Sequence, residues 1–139
     1  MFADALFRVP SLHLADAHSA GGGTAHLYEL RRPAPALGGE LGSAHGLDVQ
    51  LLFGNFTGPA ARLFFGEAPP PAEALALADG IRCSWASFAA HGDPGRPAYR
   101  VTDGRLTRLL DAERSTAAYP EDATRRIWEG HGAEPFDLL

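Results

Sequence analysis

The chain has 139 residues, of which 45% are hydrophobic and 21% are charged, a composition typical of one ordinary globular domain. Its formal net charge is −5, and all twelve of its basic residues are arginines scattered along the chain. Nucleic acids and anionic membrane surfaces bind clustered basic side chains, and no stretch approaches the ~20 apolar residues of a membrane span, so neither partner is expected.

The first third of the chain is predicted to form a helix followed by a strand. Apolar side chains recur every three to five residues over 2–20, with a kink or restart at Pro10, and three glycines at 21–23 end the helix. Over 24–30 apolar groups occupy both alternating faces, which is typical of a strand covered on both sides. A loop rich in proline and glycine follows at 31–42.

The rest of the chain predicts helices and one further strand. Residues 47–53 form a short apolar segment of one or two helical turns, and three prolines at 69–71 open the clearest helix. A strand is expected over 105–111 and a short helix over 121–128. The long helix has a predicted apolar stripe made of Leu75, Ala78, Ile81, Trp85 and Phe88, which are expected to be core residues.

Two predicted strands cannot form a sheet that is covered on both faces. The strand over 24–30 would have unpaired edges, which invite association with other chains. The apolar stripes of the helices would also lack partners. The sequence therefore predicts an α/β chain that forms part of a larger hydrophobic core.

The most informative motif is a histidine between glycines. Residues 42–48 have the sequence Gly-Ser-Ala-His-Gly-Leu-Asp, which places His45 in a tight loop where the catalytic base of an α/β-hydrolase would lie. In that fold the triad follows the order Ser, Asp or Glu, and His along the chain. The chain contains no Gly-x-Ser-x-Gly nucleophile elbow. It therefore has the features expected of the later part of such an enzyme.

The order of the motifs resembles the C-terminal part of a type B carboxylesterase, in the bacterial para-nitrobenzyl-esterase branch of that family. The family signature His-x-x-Glu-x-x-x-x-Phe-Gly appears at 45–54, with Asp48 in place of the glutamate. The resemblance covers nearly the whole chain. Its other matching segments are Asp4–Pro10, Thr24–Tyr28, Leu37–Gly39, Trp85–Ala89 with Gly92–Pro94, Pro97–Tyr99, and Arg126–Trp128.

The resemblance implies an α/β-hydrolase fold of which residues 1–139 form the incomplete C-terminal region. It implies that His45 is the triad histidine, which takes the proton from a serine hydroxyl and returns it to the leaving alcohol. The implied substrate is an uncharged small-molecule carboxylic ester, and no cofactor is implied. The serine, the acidic triad member and the oxyanion glycines lie upstream in the family. We therefore expect the chain alone to be inactive, and the missing N-terminal part of the same fold to be a partner.

Three hypotheses remain open at this stage. The chain is a fragment of an active esterase, or one half of a split esterase whose other chain supplies the serine. Alternatively, it is a non-catalytic binding or structural relic that keeps the fold without the chemistry. Separately from these hypotheses, the alternative to a triad role for His45 is an ordinary solvated loop histidine.

Other reactive side chains have simpler interpretations. Ser43 is a poor nucleophile because it lies two positions from His45 without an elbow. Asp48 is expected to cap or support its segment rather than serve as the triad acid. The six histidines fit no compact ligand spacing, so no metal site is expected. Cys83, the single cysteine, allows no intrachain disulfide and is expected to be a packed small residue within the long helix.

Overall fold

A computed structural model describes residues 3–131, which divide into two compact units. The first unit contains 3–27, 98–107 and 117–131, and the second contains Tyr28–Pro97 and Arg108–Thr116. Phe2, where the first helix was predicted to begin, lies outside the described residues. None of the helices within 3–131 combines the length and the hydropathy needed to cross a bilayer.

The first unit begins with the predicted helix. Helix α1 spans Val9–Ala20 and is preceded by a wider π-helical turn at Asp4–Arg8. Pro10 lies in the first turn of α1, directly after the π-helical turn. The helix thus changes its winding just before Pro10, and it ends before Gly21 as predicted.

Tyr99 is the central residue of the first unit's core. It is 1% exposed, and its backbone pairs with Ala25 in an antiparallel bridge. Its hydroxyl donates to Asp16 Oδ1 at 2.5 Å, and Arg105 Nε donates to the same oxygen at 3.3 Å. Leu12 packs into the same apolar cluster. The predicted C-terminal helix is present as α5, at Asp122–Ile127.

Three short strands form one sheet in the order β1-β2-β3. They are β1 Leu27–Leu30, β2 Thr107–Leu110 and β3 Ser115–Ala117, and all but one terminal residue of each belongs to the second unit. The two predicted strands are confirmed but shorter, and β1 is half-buried rather than covered on both faces. The expectation of only two strands was wrong, since the sheet has a third strand, β3. Strand β3 was missed because it is three residues long and has no apolar alternation.

Three helices complete the second unit. Helix α2 spans Leu47–Phe53, the range that was predicted, and α4 spans Ala72–His91, directly after the three prolines. Helix α3 at Pro59–Phe65 was missed. Its boundaries follow a known rule, since Pro59 occupies the first turn and Gly66 follows the last residue. Those two residues were the signal in the sequence that could have revealed it.

The predicted apolar stripe of α4 was partly wrong. Ala78 and Ile81 are buried and Trp85 is half-buried, but Leu75 and Phe88 are 42% and 48% exposed. The buried face of α4 instead follows Ala74, Leu77, Ala78 and Ile81, a spacing of three or four residues that leaves Leu75 and Phe88 outside it. Gly80 is also buried, and a Cβ there would collide with the Arg114 guanidinium. Cys83 is exposed, so its expected packing was also wrong.

The core of the second unit consists of side chains from α2, α3, α4, β2 and the loop after β1. Its larger buried members are Leu47, Leu51, Phe64, Phe65, Leu77, Ile81 and Leu110. Other large apolar side chains of this unit face solvent. They are Leu37, Leu41, Val49, Phe53, Leu63, Leu75 and Phe88.

Candidate active site

His45 lies in a tight turn immediately before helix α2. The turn is closed by the Leu47 N–H, which donates to the Ala44 carbonyl at 3.2 Å. Gly46 has φ 89° and ψ −8°, the values of the third residue of a type II turn. His45 is therefore the second residue of that turn, and it is exposed. At this position of the turn the imidazole is exposed to solvent, and the hydrogen bond between residues 44 and 47 fixes the backbone that carries it.

Glycine is required at position 46 by conformation rather than by space. A Cβ there would lie 3.7 Å from the Phe64 ring, which is an ordinary contact. We expect Gly46→Ala to cost about 1–2 kcal/mol of unfolding free energy, because the positive φ disfavours any side chain. Urea unfolding measures this cost. Gly21→Ala is the matched control, because its φ is −76° and its nearest atoms are 3.5 Å away. Equal costs for the two variants would contradict this explanation.

Two hydrogen bonds fix the segment that enters the turn. The Ser43 hydroxyl donates to the Arg32 carbonyl at 2.9 Å. The Ala34 N–H donates to the Gly42 carbonyl at 2.8 Å. Ser43 thus supports the loop through a hydrogen bond to the backbone, and its expected lack of a nucleophilic role stays a prediction.

The segment that leaves the turn is fixed by the core. Leu47 and Leu51, one helical turn apart, are 1% and 0% exposed and anchor α2. Arg82 of α4 also donates to the Leu51 carbonyl at 3.4 Å. The histidine turn is therefore continuous with a helix that is rigidly packed on its inner side.

Asp48, which was expected to cap or support its segment, lies in the first turn of α2. The Tyr28 hydroxyl donates to Asp48 Oδ2 at 2.7 Å. The Trp85 ring lies edge-on to the Tyr28 ring, with 4.9 Å between centroids. Burial raises the pKa of Tyr28, and the hydrogen bond to Asp48 raises it further. The phenol therefore stays protonated and remains a donor through the neutral range.

Arg96 extends this cluster beyond Trp85. Its guanidinium lies 5.6 Å from the Trp85 ring centroid, which is a cation–π distance. Burial lowers the pKa of Arg96, and the charge of Arg108 lowers it further. Within the described part of the chain its buried Nε has no hydrogen-bond partner. Sequence reasoning missed Arg96 and Tyr28, because no motif or spacing connects them to residues 45–48.

The raised pKa values of Tyr28 and Tyr99 predict a loss of folding stability at alkaline pH. Burial raises the pKa of both Tyr28 and Tyr99, and hydrogen bonds to aspartates add to the effect. An unfolded tyrosine ionises near pH 10, so the stabilisation is complete below about that pH and is lost as the pH rises above it. We expect the unfolding free energy to fall there. The Tyr28→Phe/Tyr99→Phe double variant should show a flatter profile, and parallel profiles would refute the prediction.

Among residues 3–131, this site offers His45 as its candidate proton carrier and no complete catalytic set. No group of three or more His, Cys, Asp or Glu side chains among residues 3–131 could hold a metal ion. The 139-residue sequence has no Gly-x-Ser-x-Gly elbow. What the chain can supply chemically is an exposed imidazole on a supported turn.

No family model matches the sequence. Among solved structures, a thermophilic para-nitrobenzyl esterase aligns with 27% identity and a TM-score of 0.75, over 91% of this chain and 26% of its own. A second para-nitrobenzyl esterase structure gives 26% identity and a TM-score of 0.74, over 89% and 25%. The carboxylesterase of Geobacillus stearothermophilus gives 25% identity and a TM-score of 0.68, over 84% and 24%.

The chain is similar to part of a carboxylesterase. Its small sheet with flanking helices matches a portion of the α/β-hydrolase fold of these esterases. The chain spans about a quarter of the length of the esterases it matches. The resemblance and the fold class inferred from the sequence are confirmed. The role of His45 remains a prediction.

Proposed function

We propose that this chain carries the catalytic histidine of a serine carboxylesterase, and that His45 is that histidine. The nucleophilic serine, the acidic triad member and the oxyanion donors belong to the rest of the hydrolase fold. They lie either upstream in the same polypeptide or on a second chain. Residues 1–139 are then the C-terminal region of the esterase domain and are inactive alone.

The proposed chemistry requires His45 to move one proton in each direction. Its imidazole accepts the proton of the serine hydroxyl as the serine oxygen attacks the ester carbonyl. It then gives that proton to the departing alcohol, which leaves an acyl-serine. In the second half, His45 accepts a proton from water, the resulting hydroxide displaces the serine, and the proton returns to the serine oxygen. The products are an alcohol and a carboxylic acid, and no cofactor takes part.

The observation that carries the proposal is the supported turn at His45, in a chain similar to carboxylesterases. An exposed imidazole suits a base that must reach a serine on another part of the fold. The solvent-facing apolar side chains of the second unit also suit a surface that packs against more of the same fold.

The substrate class is proposed from the similar proteins. Their names describe para-nitrobenzyl esterases and carboxylesterases. We therefore propose neutral small-molecule carboxylic esters as the substrates of the complete enzyme.

A reconstitution experiment, in which two separately produced parts of the esterase fold are mixed, tests the proposal. The chain is combined with a separately produced upstream part of a para-nitrobenzyl esterase that contains the serine elbow, and hydrolysis of a neutral chromogenic ester is followed. We expect hydrolysis by the mixture and none above background by either part. If the chain is a non-catalytic relic, the mixture will be as inactive as its parts.

A further inference from the structure

On its exit side the histidine turn is supported near its start by the hydrogen bond between Tyr28 and Asp48, and further along α2 by the contact of Arg82 with the Leu51 carbonyl. Asp48 lies three residues after His45, in the first turn of α2. Leu47, which closes the histidine turn, lies between them. Any rotation of the first turn of α2 would therefore move the backbone that orients the imidazole.

We propose that Tyr28 is a positioning residue for His45, acting through Asp48. This assignment rests on the proposed role of His45 as the catalytic base. The Tyr28 hydroxyl fixes the Asp48 carboxylate, the carboxylate fixes the first turn of α2, and that turn fixes the backbone at 44–47. Tyr28 itself does not touch the reacting atoms.

The strength of the contact favours this role. A hydrogen bond to an ionised acceptor is about twice as strong as a neutral one, and the 2.7 Å distance is that of a well-formed bond. Within residues 3–131 Asp48 forms no ion pair, so the tyrosine hydroxyl is its fixed polar contact. Asp16 in the first unit differs, because it has both Tyr99 and Arg105.

The tyrosine is held in place by its own neighbours. The edge-on Trp85 ring restricts the Tyr28 ring, and the Arg96 guanidinium covers Trp85. Tyr28 is also on strand β1, whose following residue Arg31 donates its N–H to the Leu110 carbonyl at 2.9 Å. The phenol therefore acts from a rigid element. A rigid donor is what positioning requires, since a mobile side chain would follow the turn instead of fixing it.

Amide hydrogen exchange on the folded chain, resolved to single residues and measured at high dilution, tests the assignment. In Tyr28→Phe we expect the Leu47 amide to exchange about tenfold faster, the size expected for one lost hydrogen bond. The Arg31 amide serves as the internal reference and should change much less. The matched control is Tyr99→Phe, which removes a tyrosine–aspartate bond in the first unit and should leave Leu47 exchange unchanged.

The imidazole signal of His45 gives a second readout that general destabilisation does not reproduce. The signal is assigned by its absence from His45→Ala. We expect Tyr28→Phe and Asp48→Ala to shift or broaden it while the other histidine signals stay in place, and Asp48→Glu, which keeps a carboxylate, to restore it. Equal acceleration of Leu47 and Arg31 exchange, or an unchanged His45 signal, would overturn the assignment.

These readouts do not require ester hydrolysis, so a failure of the positioning assignment can be distinguished from a failure of the proposed function. If Leu47 exchange is unchanged while the reconstituted esterase depends on His45, positioning is wrong and the catalytic role stands. If Leu47 exchange accelerates in Tyr28→Phe but His45→Ala does not change the activity of the reconstituted esterase, the proposed function is wrong. The positioning assignment is then overturned with it, because Tyr28 would support a turn that has no role in catalysis.

Discussion

Leu51→Ala is expected to lower the unfolding free energy of the second unit by about 2–5 kcal/mol. Leu51 is 0% exposed and lies in the core cluster together with Leu47 and Ile81. Shortening it removes apolar contacts and leaves a cavity that the surrounding helices only partly fill. Since small domains are stable by only ~5–15 kcal/mol, this variant should lose a large fraction of its stability. Urea unfolding followed by circular dichroism measures the loss.

Leu63→Ala is the matched control for this variant. Leu63 is also a helical leucine of the second unit, but it is 60% exposed. The same substitution there should change the unfolding free energy by no more than about 0.5 kcal/mol. If Leu51→Ala and Leu63→Ala cost the same, the described core would be incorrect, and with it the packing that holds α2 beneath the histidine turn.

His45→Ala is expected to lower the rate of ester hydrolysis by the reconstituted enzyme by at least ~10³-fold. Without the imidazole the serine hydroxyl has no base to accept its proton, and the leaving alcohol has no acid to protonate it. The substitution should lower kcat and leave KM nearly unchanged, because a neutral ester is bound by other parts of the fold. The change itself should be tolerated, since His45 is exposed at the tip of a turn.

His91→Ala is the control for the loss of a histidine in general. His91 is exposed at the end of α4 and ends the long helix before Gly92. We expect this variant to keep wild-type kcat in the reconstituted enzyme. Similar losses from both substitutions would mean that His45 has no special role in the reaction.

Local elements of the fold could be predicted where a periodic pattern is bounded by glycine or proline. Helix α2 is the clearest case, because Leu47 and Leu51 lie one turn apart between Gly46 and Gly54. Helix α4 was predicted for the same reason. Its buried face was assigned only in part, since apolar residues such as Leu75 and Leu77 offer more than one helical stripe and the sequence does not show which of them is covered.

The contacts around His45 could not be predicted from the amino-acid sequence. Asp48 and Tyr28 are separated by 20 residues, and their contact depends on where β1 and α2 lie in the fold. The cation–π contact between Arg96 and Trp85 has no spacing signal either. Strand β3 was missed because pairing with β2, rather than its own three residues, makes it a strand. The candidate base was predicted from its motif, whereas its support follows from tertiary packing.

The most direct test of the central claim is the initial rate of neutral ester hydrolysis by an equimolar mixture of this chain and the serine-containing part of a para-nitrobenzyl esterase. The rate is compared between wild type and His45→Ala. The account predicts hydrolysis by the wild-type mixture, background rates from each part alone, and near-background hydrolysis by the His45→Ala mixture. Equal rates from the two mixtures, or hydrolysis by this chain without a partner, would contradict it.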